Sequence, residues 1–182
     1  DRMDRRVART TGRIKKVFGE LIQEKAFADI TVKMICDAAD VERKTFYLHF
    51  KDKYDLLDAI LKEHFEAFRE NVRQIPDAKP IDFYREALAM LGRHRKFFKR
   101  VYNGQASALI RKRIQYYVLQ RLQLEYGTDV DPAIQHFIAD GIGGVFESYI
   151  NCEIEGSDEQ IAADMAWMVV QAKKCLKKNL NK

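Results

Sequence analysis

Turn-forming residues are scarce in this sequence, and that scarcity restricts the possible folds more than any other feature. The 182 residues include only 3 Pro and 9 Gly. A β-sandwich or β-barrel needs a turn roughly every 8–12 residues, which these numbers cannot supply. Because 47% of the residues are hydrophobic, the chain can nevertheless bury a substantial core. We therefore predict an all-α protein.

Composition and charge exclude several classes of protein. The chain has 32 Lys or Arg and 27 Asp or Glu, and this net charge of +5 is compatible with a nucleic-acid partner without requiring one. No apolar run approaches the roughly 18 residues that span a bilayer, and the charged start DRMDRRVARTTGR does not resemble a signal peptide. Cys36, Cys152 and Cys175 form no CxxC pair and are expected to be buried free thiols. We expect a soluble, cytoplasmic protein without a metal or cofactor.

Two short helices are predicted near the N-terminus, over 32–39 with Thr31 as its cap, and over 42–50. Helices of this length are not stable alone, so they need another helix to pack on. The preceding segment, 10–25, provides it, with apolar residues at helical spacing and Thr10-Thr11 as the cap. Together the three helices indicate a helix-turn-helix, whose second helix lies in the major groove of DNA.

The exposed side chains of the 42–50 helix suit contact with DNA. Arg43 and Lys44 can reach guanine edges or phosphates, Thr45 a phosphate or a base, and Tyr47 a phosphate or a thymine methyl group. The arginines that precede the first helix leave two interpretations open. They form either an arm for the minor groove or an unstructured leader.

Longer helices are predicted in the rest of the chain. Their approximate bounds are 53–73 after an Asp52 cap, 82–94, 96–102, 105–126, 132–153 after an Asp131 cap, and 159–179. Two of the three prolines fall in the segment 74–81, which we interpret as a domain boundary. The glycines of 141–144 are predicted to permit close helix packing.

The segment FADITVKMICDAADVERKTFYLHFKDKYDLL, from Phe27 to Leu57, resembles the TetR family of bacterial transcriptional regulators. The family pattern is an aromatic residue, Thr-Val, Ile, Ala-Gly-Val, then Tyr-x-His-Phe and Lys-x-x-Leu-Leu. Nearly every one of these positions matches. Asp40 stands where the family usually has Gly, and a turn with positive φ at this position is tolerated better by Asp than by most other residues.

The resemblance implies a two-domain homodimer that binds double-stranded, palindromic operator DNA. It implies that Thr31 and Lys53 contact phosphates, that the 42–50 helix contacts bases, and that Tyr47 and His49 contact the DNA backbone. The complete candidate DNA-binding set is Thr31, Glu42, Arg43, Lys44, Thr45, Tyr47, His49 and Lys53. We accordingly predict a helix-turn-helix DNA-binding domain at 1–52, a connecting helix at 53–75, and a helical effector-binding and dimerisation domain at 76–182.

The C-terminal part carries two further expectations. Residues 131–179 hold more apolar surface than one helix pair can bury, which predicts a four-helix bundle formed by two copies of the chain. The family commonly places an effector site among the middle helices. The candidate ligand-binding residues there are Arg93, Phe97, Phe98, Tyr102, Arg113, Tyr116 and Tyr117. An acidic effector would use Arg93 or Arg113 as its anchor.

No motif supports catalysis. The sequence lacks a P-loop, GxGxxG, GxSxG and HExxH, and no Glu lies three residues before any of its histidines. We expect a DNA-binding transcriptional regulator and not an enzyme, more specifically a repressor released by a small-molecule effector. The alternatives are an activator or co-regulator controlled by a partner protein, and a helical interaction module that does not bind DNA.

Overall fold

A computed structural model describes the chain over residues 2–126 and 131–180, with side chains described over 4–123 and 131–174. Every regular element in this part of the chain is helical, which confirms the all-α prediction. The nine α-helices of the described residues are α1 Arg2–Glu24, α2 Val32–Ala39, α3 Arg43–His49, α4 Lys53–Arg73, α5 Pro80–Arg93, α6 Arg95–Tyr102, α7 Ser107–Tyr126, α8 Pro132–Asn151 and α9 Asp158–Leu180.

Side-chain caps fix the start of three helices, as the sequence predicts. Thr31 accepts a hydrogen bond from the backbone N–H of Met34 at 3.2 Å and so starts α2. Asp52 Oδ1 accepts the backbone N–H groups of residues 54 and 55, both at 2.8 Å, at the start of α4. Asp131 accepts from the N–H of Ala133 at 2.8 Å at the start of α8, whose first residue is proline.

Helix α1 begins earlier than predicted. The sequence suggested a cap at Thr10-Thr11, but the Thr11 hydroxyl donates to the carbonyl of Val7 at 3.0 Å, a contact that a threonine makes inside a helix. The helix therefore extends back to Arg2 and includes the arginines that were expected to form an arm or a leader. A threonine hydroxyl can cap the start of a helix, but inside a helix it can instead donate to the carbonyl four residues earlier.

Contacts divide the chain into two compact units, one formed by the residues up to 63 with 96–110, the other by 64–95 with 111–182. In the first unit, α1 supplies fully buried Ile14 and Phe18, and these pack in a core shared with the other helices of that unit. Phe46, Leu57 and Tyr102 are among the buried side chains of the same unit. The domain boundaries at 52 and 75 stay a prediction.

The second unit has its own core of residues from α5, α7, α8 and α9. Its most buried side chains include Leu88, Ile114, Ile150 and Ala162, each at most 2% exposed. Arg95 Nη1 donates to the backbone carbonyls of residues 149 and 150, and so satisfies carbonyls at the C-terminal end of α8. These contacts make the α8 end a fixed part of the unit.

Two of the three cysteines have described side chains, and they differ in burial. Cys36 is buried, and burial raises its pKa, but Cys152 is exposed, so the expectation of buried thiols is wrong for the second cysteine. The side chain of Cys175 lies outside the described residues.

A Cβ added at Gly141 or Gly144 would meet no atom within 4 Å, so close packing within the chain does not explain these glycines. In the part of the chain that is described, none of the helices is both long and apolar enough to cross a membrane.

Candidate DNA-binding surface

The turn between α2 and α3 is held by backbone geometry and by a contact from α1. Asp40 adopts the left-handed conformation, with φ 49° and ψ 56°, and its N–H bonds back toward the carbonyl of Asp37 at 3.3 Å. Arg13 Nη2 donates to the Asp40 carbonyl at 2.9 Å, which ties the turn to α1. The positive φ anticipated from the unusual Asp at this position is therefore present.

Helix α3 has one buried side and one exposed side. Phe46 is 0% exposed and Phe50, at its C-terminal end, is 6% exposed, so both anchor the helix in the core of the unit. The ring of Tyr47 packs edge-on against Phe46 with centroids 5.4 Å apart, while half of the Tyr47 side chain remains exposed. A short helix that is anchored on one side by aromatic rings presents its opposite side to a partner in a fixed orientation.

The predicted DNA-binding residues all lie in the first unit, where some are exposed and others are half-buried. The exposed residues are Thr31, Glu42, Arg43, Lys44 and Tyr47. The half-buried residues are Thr45, His49 and Lys53. Glu42 is the N-cap residue of α3 but makes no capping hydrogen bond with its side chain. The assignment of each residue to a base or a phosphate stays a prediction.

Lys53 makes a set of contacts that the sequence does not suggest. Its Nζ donates to the carbonyls of Phe27 at 2.7 Å, Ala28 at 3.2 Å and Ile30 at 2.8 Å. It also lies 4.6 Å from the centroid of the Phe27 ring. Burial lowers the pKa of this lysine, partly offset by Asp29. The three ammonium donors thus hold the 3-10 turn Phe27–Asp29 and its C-cap residue Ile30, which precede α2.

Leu48 is a residue that the sequence reasoning missed. It lies on α3 between Tyr47 and His49 and is 71% exposed, although leucines on short helices usually face the core. The helical spacing could have shown this, because Phe46 and Phe50 already define the buried side and residue 48 falls opposite them. A large apolar side chain on a surface rich in cations can contact the methyl group of thymine.

The predicted ligand-binding residues do not form one described site. Phe97, Phe98 and Tyr102 are buried in the first unit, and the remaining four belong to the second. Of these four, Arg93 and Tyr116 are exposed, whereas Arg113 and Tyr117 are half-buried. The seven residues therefore stay a prediction as a ligand site.

Tyr117 is a well-connected member of the second unit. Its ring stacks on Phe65 at 5.2 Å, and its hydroxyl donates to Glu66 Oε1 at 2.8 Å. Burial, followed by the contact with Glu66, raises the pKa of Tyr117 to about 12. These contacts give the tyrosine a structural partner for both its ring and its hydroxyl.

The His, Cys, Asp and Glu side chains of the described residues are the potential ligands of a metal site. No group of three or more His, Cys, Asp or Glu side chains is placed there so that it could hold a metal ion. The histidine of α3, His49, instead lies edge-on to Phe50 with ring centroids 6.4 Å apart.

An anchored pair of short helices, a fixed turn and an exposed cationic side on the second helix define a helix-turn-helix protein. Residues 19–60 match the family model described as bacterial regulatory proteins, tetR family. Over these residues the chain is similar to the TetR family of bacterial transcriptional regulators, which confirms the predicted resemblance and the helix-turn-helix. The match agrees with the expectation of a transcriptional regulator.

Known proteins resemble this chain either in sequence or in fold. The HTH-type transcriptional regulator YxbF of Bacillus subtilis, described as uncharacterized, is 36% identical over 61 residues. That match covers 33% of this chain, and the chain spans only 16% of the length of YxbF. The similarity in sequence is thus confined to about a third of the chain.

Solved structures share the fold over most of the chain. A TetR transcriptional regulator from Streptococcus agalactiae superposes with a TM-score of 0.66 at 21% identity, covering 92% of this chain and 97% of that one. The dihydroxyacetone kinase operon activator DhaS gives a TM-score of 0.56 at 22% identity, covering 92% and 96%. NalD, the secondary repressor of the MexAB-OprM efflux pump in Pseudomonas aeruginosa, gives 0.57 at 16% identity, covering 90% and 96%. At these identities the likeness concerns the fold alone.

Proposed function

We propose that the chain binds double-stranded DNA in a sequence-specific manner and regulates transcription as a homodimer. The observation that carries this proposal is the exposed side of α3, where Arg43, Lys44, Tyr47 and Leu48 are presented by a helix whose opposite side is buried. Guanidinium and ammonium groups recognise guanine edges and phosphates, and apolar side chains recognise thymine methyl groups.

The homodimer is supported by an apolar groove between α8 and α9. The groove has a volume of about 480 Å³, and its lining residues include Gly141, Val145, Met165 and Ala172. Phe137, also in the lining, is 78% exposed. Exposed apolar surface of this kind marks a contact surface, and two copies of a helix pair cover each other as a four-helix bundle.

For the sign of regulation we propose a repressor that a small-molecule effector releases. Structures with the same fold include both a repressor, NalD, and an operon activator, DhaS, so activation is the second candidate. The two are distinguished by transcription from a promoter that carries the selected sequence, with and without the protein. Lower transcription in the presence of the protein supports repression, and higher transcription supports activation.

The test of DNA binding is selection of bound sequences from random duplex DNA by the full chain. A dimer should enrich palindromes whose half-sites are centred about 10–10.5 base pairs apart or at a multiple of that distance. Arg43→Ala and Lys44→Ala should relax the preference at one or two positions. Leu48→Ala should relax it at a thymine-containing position.

Lys62→Ala is the matched control for this selection, because Lys62 is an exposed lysine of the same unit that lies on α4. It should enrich the same sequences as the unchanged chain. Failure to enrich any sequence would contradict the proposal, and so would an identical selection by all four variants.

A further inference from the structure

A second concave site lies in the unit that contains α5, α7, α8 and α9, separate from the groove between α8 and α9. It is a cavity of about 460 Å³, within the range of small-molecule sites, which is roughly 300–1,000 Å³. None of the seven residues predicted from the sequence as a ligand site lines it. No function described above uses this cavity.

The walls of the cavity are mainly apolar. Phe83 and Tyr84 of α5, Leu122 of α7 and Ile142 of α8 form much of its lining, and α9 contributes two valines. The Phe83 ring also makes an edge-on contact with Phe68, with ring centroids 4.9 Å apart. These side chains suit a ligand with an apolar skeleton.

The charged side chains of the lining all have the same sign. They are Arg121 of α7 and Lys173 and Lys174 of α9, and the lining described here includes neither Asp nor Glu. The guanidinium of Arg121 lies 4.5 Å from the centroid of the Phe83 ring. The guanidinium of Arg121 therefore lies beside an apolar wall of the cavity. One ligand can pair its charged end with the guanidinium and pack its apolar part against Phe83.

We propose that this cavity binds an amphipathic anion: a small molecule with one carboxylate and an aliphatic or aromatic skeleton. The skeleton lies against Phe83, Leu122 and Ile142, and the carboxylate pairs with Arg121. Arginine suits this role, because its planar donors match both oxygens of a carboxylate.

The position of the cavity also gives the ligand a route to the regulation of DNA binding, a step that rests on the proposed function. Ile138, Ile142 and Val169 line both the cavity and the groove between α8 and α9. A ligand that shifts these side chains changes the surface at which two copies of the chain meet. Because coupling is reciprocal, operator DNA must then change the affinity for the ligand by the same factor as the ligand changes the affinity for DNA.

The experiment is calorimetric titration of the full chain, without DNA, with decanoate at concentrations below its self-association. Decanol is the matched ligand without charge, and decyltrimethylammonium is the matched cation. We expect saturable binding of one decanoate per chain, about tenfold or more tighter than decanol, and no saturable binding of the cation. Omitting DNA keeps this result independent of whether the DNA-binding proposal holds.

Variants locate the binding site. Arg121→Gln should weaken decanoate binding about tenfold or more, with little effect on decanol. Lys112→Gln, which removes an exposed cation of the same helix outside the cavity, should leave the affinity unchanged. Lys174→Gln is a second variant in the lining, for use if thermal unfolding shows that Arg121→Gln disturbs the fold.

Three results would overturn the proposal. The first is the absence of saturable decanoate binding. The second is equal affinity for decanoate and decanol, because the cations would then contribute nothing. The third is an equal loss of affinity in Lys112→Gln and in the folded lining variants, because the charge effect would then be one of net charge and not of this cavity.

Discussion

At the scale of single residues, the exposed side of α3 and the contacts of Lys53 show two different uses of a cation. Arg43 and Lys44 are exposed on α3. Lys53 directs its ammonium group at three backbone carbonyls of its own unit instead. Cations of this unit are therefore exposed in one place and hold local structure in the other.

The contacts of Lys53 lead to a prediction about stability. Lys53→Met removes the hydrogen bonds to the turn that precedes α2, so we expect the free energy of unfolding to fall by about 1–2 kcal/mol. Urea unfolding measures this change. Lys51→Met, which removes an exposed lysine of the same unit, should leave the free energy of unfolding within about 0.5 kcal/mol of its original value.

The opposite result would favour the role that the family resemblance implies for Lys53. If Lys53→Met unfolds like the unchanged chain, but binds DNA more weakly with a flatter salt dependence, the lysine contacts a phosphate and its hydrogen bonds to the turn are dispensable.

At the scale of elements, the turn between α2 and α3 is the most informative. Asp40 has a φ of 49°, which Gly adopts without strain and which Cβ-bearing residues other than Asp and Asn adopt at a cost. The contact from Arg13 uses the backbone carbonyl of Asp40, so it survives substitution of the side chain.

We therefore expect a fixed order of stability at this turn. Asp40→Gly should unfold at the same temperature as the unchanged chain or higher, and Asp40→Val should lose about 1–2 kcal/mol. Thermal unfolding of the three proteins measures this order. A valine variant as stable as the glycine variant would show that the turn does not need its left-handed residue.

The C-terminal end of α5 supplies a prediction about pH. The pKa of His94 is lowered from 6.5, first by burial and then by the charge of Arg93. Its ring lies 4.6 Å from that of His64. Between the lowered pKa and 6.5, the unfolded chain binds more protons than the folded chain, so folding is weakened as the pH falls through this window.

The free energy of unfolding should therefore fall between pH 7 and pH 5 more steeply in the unchanged chain than in His94→Gln. Urea unfolding of both proteins at about pH 7 and pH 5 measures the difference, which reports only the contribution of His94. The same decrease in both proteins would mean that His94 titrates alike in the folded and unfolded states.

Sequence patterns located the helices well, and the reason is physical. Caps and helical spacing are local signals, so α2 was predicted at its observed bounds and α4 at 53–73. Helix α5 begins at Pro80, two residues before the predicted start, because proline is favoured at the first helical position and Asp82 bonds back to the N–H of Lys79.

The orientation of α3 could be predicted, but the cavity lined by Arg121 could not. Phe46 and Phe50 lie four residues apart and fix the buried side of α3 by spacing alone. The cavity is a gap left between four helices whose residues are distant in the sequence, and no spacing rule encodes such a gap. The predicted ligand residues Phe97, Phe98 and Tyr102 are all buried, and their role in binding a ligand stays a prediction.

At the scale of the whole molecule, binding to two half-sites of DNA requires two copies of the chain. Phe137→Asp places a charge in the groove between α8 and α9 and should convert the dimer to a monomer at micromolar concentration. Light scattering measures this. Ala67→Asp, at an exposed position of α4 outside the groove, should remain a dimer. A monomeric unchanged chain, or a dimeric Phe137→Asp, would contradict this assignment of the groove.

The central claim is that a dimer of this chain binds a specific DNA sequence through α3. The most direct measurement is titration of a labelled duplex, selected by the full chain, at several salt concentrations beside a scrambled duplex. We expect two chains per duplex, affinity for both duplexes that falls as salt rises, and a preference for the selected sequence that Arg43→Ala reduces. Equal affinity for the selected and scrambled duplexes, or affinity that does not depend on salt, would contradict it.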